Sequence, residues 1–450
     1  MRMSPARQAA FEILGRVEAG RAFAVDLLQG TEVEALSEVD RRLATELVMG
    51  TLRWRGELDY RIERLSGKPF QYFDLEVLII LRLGIYQIRF LEKIPKSAVV
   101  NEAVELTKAA RKRSAAGLVN AVLRKCEPAK RRTVEPAAGK MDAELVDAAR
   151  RSFPAWMLER WQKQYGREAA DALALAGLAV PPATLRVVRG VREEVRQQLV
   201  REGIQTEFGK YSSRALVVQY GNVRASQAFR GGEVVIQDEA SQLVASLVAP
   251  QAGQRILDLC AAPGIKTHQL AVTLGGGALV ACDLSARRLR TMKRLLSGRI
   301  PAAVQFHIVR LDAARELPFV GPFERILVDV PCSGTGTLAR NPEIKWRLQP
   351  QDLPRLADLQ GMILRNALSL LTPGGRLVYA TCSLEPEENE QVVVRVLREA
   401  EGCLPLTAAE LSSEFPQLSQ LFDSRGYFRT RPDLHLMDGF FAAVFVRAAS

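Results

Sequence analysis

The chain has 450 residues, 48% apolar and 25% charged, the proportions of an ordinary globular protein of about three domains, which excludes global disorder. Lys and Arg exceed Asp and Glu by 11, and the excess lies wholly in the first half: +7 over residues 1–140, +4 over 141–230 and zero over 231–450. A basic front half points to a polyanionic partner.

Six cysteines without a C-x-x-C pair fit a reducing compartment better than a disulfide framework, and three unclustered histidines argue against a metal site. The first residues lead into an amphipathic pattern without an uninterrupted apolar stretch, so no secretory signal is expected. The longest apolar run, Val77 to Leu81, stops at Arg82 and is too short to span a bilayer. No membrane association is expected, and a cytoplasmic location is.

Residues 5–126 read as helix after helix. Ala9, Ala10, Ile13, Leu14 and Val17 form a one-faced stripe. Asp40 is the expected cap of a helix carrying Leu43, Leu47 and Val48. Residues 75–88 are apolar nearly all round and predict a central buried helix. Residues 128–140, with two prolines and Lys130-Arg131-Arg132, read as a linker. Residues 141–178 read as helical again. Strands at 185–188 and 215–218 flank a helix at 192–202, a small α+β segment that ends near Gly231-Gly232.

From residue 233 the texture becomes β-α alternation, with strands at 255–259, 278–283, 304–309, 325–329 and 376–380 and helices between them. Such alternation predicts a parallel sheet covered on both faces. Residues 427–430 and 439–446 are joined too tightly for a crossover helix and predict an antiparallel hairpin at the sheet edge. The fold class is therefore multi-domain: an all-α front, a small α+β middle and an α/β Rossmann-like domain with a seven-stranded, mostly parallel sheet.

The chemistry concentrates at strand ends. Cys260-Ala261-Ala262-Pro263-Gly264-Ile265-Lys266 is a turn of small residues between strand and helix, where a doubly wound sheet meets a nucleotide-like ligand. Both G-x-G-x-x-G and the P-loop pattern are missing, which counts against dinucleotides. Asp283, 25 positions after Asp258, ends the second strand and suits ribose hydroxyls. Asp312 follows the third strand and suits an adenine amine. S-adenosyl-L-methionine carries these groups without a pyrophosphate. Cys332, after Asp329 and the fourth strand, and Cys382, after the fifth, leave adjacent strand ends in turn-rich polar segments. Cys126, Cys282 and Cys403 read instead as buried hydrophobes. A thiolate that adds to carbon 6 of cytosine makes carbon 5 enamine-like and able to attack a sulfonium methyl.

These residues resemble bacterial ribosomal-RNA cytosine-C5 methyltransferases of the RsmB/Sun type, within the Nol/Nop/Sun family. The carriers are residues 260–266, Asp329-Val330-Pro331-Cys332-Ser333-Gly334-Thr335-Gly336, Asn341-Pro342-Glu343-Ile344-Lys345-Trp346, Thr381-Cys382-Ser383 with Pro386-Glu387-Glu388-Asn389, and Asp438-Gly439-Phe440-Phe441. Residues 1–126 also resemble the helical domain of the antitermination factor NusB, in Asp40 to Ala44, Leu81 to Tyr86, Val99 to Val104 and Val119 to Arg124.

The resemblance implies Cys382 as nucleophile, Cys332 as the group that resolves the adduct, and residues 260–266, Asp283, Asp312 and Asp329 as the S-adenosyl-L-methionine site, with Asp329 also near the base. Lys266 is implied as a donor toward the methionine end or the base. Ile265 departs from the family's usual Gly-Gly-Lys, and as a β-branched residue must keep an ordinary backbone conformation. The implied partner is 16S ribosomal RNA, before full subunit assembly, and the protein is expected to be a monomer. The implied segments are 1–128, a NusB-like RNA-binding domain; 129–140, a linker; 141–232, a small RNA-binding domain; and 233–450, the methyltransferase.

Lys108, Arg111, Lys112, Arg113, Lys125, Lys130, Arg131 and Arg132 form a basic cluster suited to phosphates. Two other readings stay open: the same chemistry on transfer RNA, and a non-catalytic RNA-binding or antitermination protein with an inert methyltransferase fold. Both cysteines and all three strand-end aspartates are present, which favours the enzyme.

Overall fold

A computed structural model describes residues 4–20, 22–129, 142–400 and 402–448. The chain forms two compact units. The first comprises residues 1–180 together with 337–348, and the second comprises 181–336 and 349–450. Among the described residues no helix is long and apolar enough to cross a membrane. The expected linker falls largely on residues 130–141, outside the described residues.

The first unit is helical throughout. Helix Pro5–Glu18 buries Ala6, Ala10, Ile13, Leu14 and Val17; Ala6 takes the place predicted for Ala9. Helix Glu38–Arg53 is capped by Ser37, whose hydroxyl accepts the Asp40 N–H. Asp40 is therefore inside the first turn, where its charge favours the helix N-terminus, and is not the cap. Helix Leu75–Phe90 buries Val77 to Ile88 without a break. Arg82 is buried with them, because its guanidinium takes both oxygens of Asp59 at 2.6 and 2.8 Å and Glu18 at 3.0 Å. Such a side chain can be buried only when paired in this way. Helices Arg55–Ser66, Lys96–Ala109, Ala116–Lys125, Ala143–Arg151, Ala155–Tyr165 and Arg167–Leu178 also belong to the unit.

The second unit opens with strands β1 (Thr184–Val187), β2 (Gln205–Phe208), β3 (Ala215–Tyr220) and β4 (Val234–Ile236), an antiparallel sheet in the order β2-β3-β1-β4. Strands β2 and β4 escaped the sequence reading; at four and three residues they are too short for a period-two pattern. Leu185 and Val187 pack toward Val195 and Leu199 of helix Arg192–Arg201. On the other face of β1, Arg186 is buried. Its Nε donates to Gln237 at 2.6 Å, and an Nη lies 3.2 Å from Nδ1 of His268 on helix Ile265–Leu274.

The large sheet contains β5 (Arg255–Leu259), β6 (Gly277–Asp283), β7 (Val304–Arg310), β8 (Phe323–Asp329), β9 (Leu371–Thr381), β10 (Cys403–Pro405), β11 (Phe428–Arg429) and β12 (Phe441–Arg447). Seven strands run in the order β10-β12-β9-β8-β5-β6-β7, and β11 pairs with β12. The pairings among β5 to β9 are parallel and those of β12 antiparallel. Successive residues feed opposite cores: Leu257, Ile326, Val328, Leu377 and Tyr379 on one face, Ile256, Leu327, Val378 and Ala380 on the other. Continuous apolar strands are what a sheet covered on both faces requires. The antiparallel partner of β9 is not at the edge as expected. Strand β12 lies between β9 and β10, and the three-residue β10, which ends in Pro405, forms the edge.

Candidate active site

The parallel strands deliver their C-terminal ends to one rim, and chain order reverses between β5 and β8, the place where open α/β sheets hold ligands. The loop after β5 carries Cys260 at φ +62°, a cis Ala262-Pro263 bond, and Gly264 at φ +99° as the residue before helix Ile265–Leu274. The left-handed position falls on Gly264, so Ile265 simply begins the helix. A Cβ on Gly264 would run into Met292, which closes that side of the loop.

Asp258 is wholly buried beneath this loop. One oxygen accepts the Thr267 hydroxyl at 2.6 Å, the other has no partner, and burial pushes its carboxyl up to about 7. Asp283, at the end of β6, accepts the backbone N–H of Ala262 at 3.2 Å and of Ser285 at 2.8 Å and pairs with Arg288 at 3.3 Å. Arg288 also donates to the Ala262 carbonyl, so it bridges the carboxylate and the loop; no sequence pattern had singled it out. Asp312 is partly exposed after β7, accepts the Ala314 N–H at 3.1 Å and pairs with its neighbour Arg315 at 3.5 Å.

On the other side of the switch point Lys266 reaches Asp329 at 2.8 Å, with Phe440 5.0 Å from the ammonium. Lys266 is held charged, because Asp329 outweighs the cost of burial. The Sγ atoms of Cys332 and Cys382 stand 3.2 Å apart, both residues are partly exposed, and the Cys382 N–H points at the Cys332 sulfur at 3.3 Å. Cys126, Cys282 and Cys403 are buried, and burial raises all three thiols, Cys282 to about 12.

The donor set fits S-adenosyl-L-methionine. An unpartnered buried acceptor lies under a small-residue loop, carboxylates stand at three further strand ends, and no phosphate-binding glycine pattern is present.

The expected basic cluster is partly neutralised. Lys108 pairs with Glu105 at 2.7 Å and Lys112 with Asp74 at 2.7 Å, while Arg111, Arg113 and Lys125 are exposed. Lys130 to Arg132 lie outside the described residues. A second basic surface went unread. Arg192 donates to the Ser212 carbonyl at 3.0 Å and Arg214 to the Gly190 carbonyl at 3.4 Å, tying two loops that also carry Arg189 and Lys210. The Arg192 guanidinium lies 4.3 Å from the ring of Phe208, which is 47% exposed.

Fold and site together define an S-adenosylmethionine-dependent methyltransferase. The family model described as 16S rRNA methyltransferase RsmB/F matches residues 245–446, NusB matches 4–128, and a ferredoxin-like domain of RsmF/B-like methyltransferases matches 153–223. A protein of Pseudomonas putida named "Ribosomal RNA small subunit methyltransferase B" is 36% identical over all of this chain and 99% of its own. The "Probable ribosomal RNA small subunit methyltransferase B" of Bacillus subtilis is 35% identical over 98% of both. The crystal structure of PH0851 covers 99% of the chain at TM-score 0.78 and 22% identity. A methyltransferase homologue from Pyrococcus horikoshii, 26% identical, covers 68% of this chain and all of its own at TM-score 0.57. The chain belongs to the 16S rRNA methyltransferase RsmB/F family.

Proposed function

We propose that the protein methylates carbon 5 of a cytosine in 16S ribosomal RNA, with Cys382 as nucleophile and Cys332 as the residue that assists release. The observation that supports this reading is the pair of sulfurs 3.2 Å apart beside the Lys266–Asp329 ion pair, where the sheet changes direction. The Cys382 thiolate adds to carbon 6 of the ring, and the electron pair of the 5,6 double bond becomes available at carbon 5. Residues 260–266, Asp283, Asp312 and Asp329 would hold S-adenosyl-L-methionine, whose sulfonium methyl would pass to that electron pair as its bond to sulfur breaks, the donor leaving as the neutral thioether. Carbon 5 then gives up its proton to a base, and the electron pair left behind re-forms the double bond and expels the sulfur of Cys382. Cys332 assists this elimination. Lys266 and Asp329 orient the base.

A stacked cytosine cannot reach such a site, so the substrate is a splayed or flipped nucleotide, as in RNA before subunit assembly is complete. Arg189, Arg192, Lys210 and Arg214 contact its backbone phosphates, alongside the exposed cations of the helical unit. The protein acts as a cytoplasmic monomer.

Two variants test the cysteine roles. Cys382→Ala is expected to abolish methyl transfer. Cys332→Ala is expected to accumulate a protein–RNA adduct that survives a denaturing gel. An adduct with the Cys382 variant alone would exchange the roles, and no adduct with either would overturn the covalent reading. Bisulfite sequencing of ribosomal RNA with and without the protein locates the base.

A further inference from the structure

Glu388 is wholly buried in the second unit. One of its oxygens accepts the Ser333 N–H at 2.8 Å and the Gln360 amide at 2.9 Å. The other accepts the hydroxyls of Ser333 and Ser383. Ser333 directly follows Cys332, and Ser383 directly follows Cys382. The same Gln360 amide donates to the Pro331 carbonyl at 3.0 Å, so both chain neighbours of Cys332 are fixed. The Tyr379 hydroxyl fixes the Glu388 carbonyl at 2.6 Å. One carboxylate thus joins the two cysteine-bearing segments, which are 50 residues apart in sequence.

We propose that Glu388 is the positioning residue of the thiol pair: it joins the two cysteine-bearing loops, sets the spacing of the two sulfurs and places its carboxylate on the Cys332 side. This rests on the reading of Cys332 and Cys382 as the reacting pair. Four donors converge on the carboxylate. Its charge lies on the Cys332 side, whereas the Lys266 ammonium, paired with Asp329, lies on the Cys382 side. The groups facing Cys332 are Cys382, Glu388 and the Tyr379 hydroxyl. Contact with Cys382, burial and the Glu388 charge all hold the Cys332 thiol up. A protonated Cys332 can give its proton to the departing sulfur of Cys382, leaving itself as the thiolate until the proton returns across the same contact, and that transfer needs the short separation that the carboxylate maintains.

The test is alkylation of the full-length protein by iodoacetamide across pH, with the Cys332 and Cys382 peptides quantified separately by mass spectrometry, alongside the kinetics of methyl transfer. Cys332 is expected to react only at a pH above the ordinary thiol range. Glu388→Gln is expected to bring the Cys332 midpoint down by about one pH unit. It is also expected to lower kcat by about 30-fold with little change in KM for RNA, because the reacting groups lose their alignment. Ser383→Ala keeps the charge and loosens one bond, so it is expected to lower kcat while the Cys332 midpoint stays in place. An unmoved Cys332 midpoint in a cooperatively melting Glu388→Gln protein overturns the proposal. Should that variant fail to fold, unchanged kcat in Ser383→Ala overturns it. Retained methyl transfer in Cys382→Ala overturns the underlying reading instead, and the alkylation data stand apart from that result.

Discussion

Gly336 and Gly439 meet backbone to backbone. The Gly439 N–H donates to the Gly336 carbonyl at 2.8 Å, while the Gly336 N–H donates to the Cys382 carbonyl at 2.9 Å. A Cβ on Gly336 would overlap the Gly439 carbonyl. Gly336→Ala is therefore expected to cost about 3 kcal/mol in stability, the upper range for overpacking, and to lower methyl transfer by displacing Cys382 and Phe440. Thermal melts and single-turnover assays read both. A wild-type rate would show that this contact does not position the site.

Residues 337–348 continue directly from the Cys332 loop, yet they are part of the helical unit. The Lys345 ammonium donates to the Arg53 carbonyl at 2.8 Å and lies 4.1 Å from the Phe153 ring. Glu343 accepts the Ala24 N–H at 2.7 Å, and Arg347 donates to the carbonyls of Val17 and Ala22. Deleting residues 1–126 removes all of these partners except Phe153. The truncated protein is expected to lose the catalytic step as well as RNA affinity, while S-adenosylmethionine binding, measured by calorimetry, falls least. A truncated protein with full single-turnover rate on saturating RNA would disprove the coupling.

Lys345 is itself a test of buried charge. Burial and the nearby Arg53 and Arg55 depress its ammonium well below the ordinary lysine range. Lys345→Met keeps the stem and discards the charge, so it is expected to leave stability within about 1 kcal/mol of wild type or to raise it. Denaturant titration at neutral pH decides.

His268 is pushed down to about 4 by burial and by Arg186, so it is neutral in the folded protein. Its depressed value means that its contribution to stability is full above its ordinary value of 6.5 and is lost as pH falls toward 4. Arg189 adds its charge to the penalty of protonation, while a backbone hydrogen bond with Arg299 offsets part of it. His268→Gln keeps an acceptor for Arg186 and does not titrate. It is expected to lose less melting temperature than wild type between about pH 7 and about pH 5. Parallel losses in the two proteins would remove His268 as the cause.

Replacing Arg189 and Arg214 together by Glu is expected to weaken RNA binding and to lower the slope of log affinity against log salt by about 2. Cofactor affinity is expected to be unchanged. An unaltered slope would assign RNA contact to other cations, such as Arg111 and Arg113.

The elements that the sequence foretold best are those with local signals. The five parallel strands fall where the alternation placed them. Both cysteines and the three aspartates of the expected site stand at strand ends because the chain itself places them there. What escaped the reading has no local pattern. Strand β10 has three residues, Arg288 sits on an unremarkable basic helix, and Glu388 lies in an acidic stretch whose individual roles no spacing reveals.

Residue type and order alone determined that a cysteine follows β9, that another follows β8, and that an aspartate stands at or just after the ends of β6, β7 and β8. Periodicity and turn chemistry act between near neighbours, so they are written in the chain. Only the tertiary structure decided that the two sulfurs touch, that one buried carboxylate joins their loops, and that residues 337–348 are part of the helical unit. Those relationships join residues from about 50 to about 330 positions apart, and burial and hydrogen bonding select them only once the whole chain has folded.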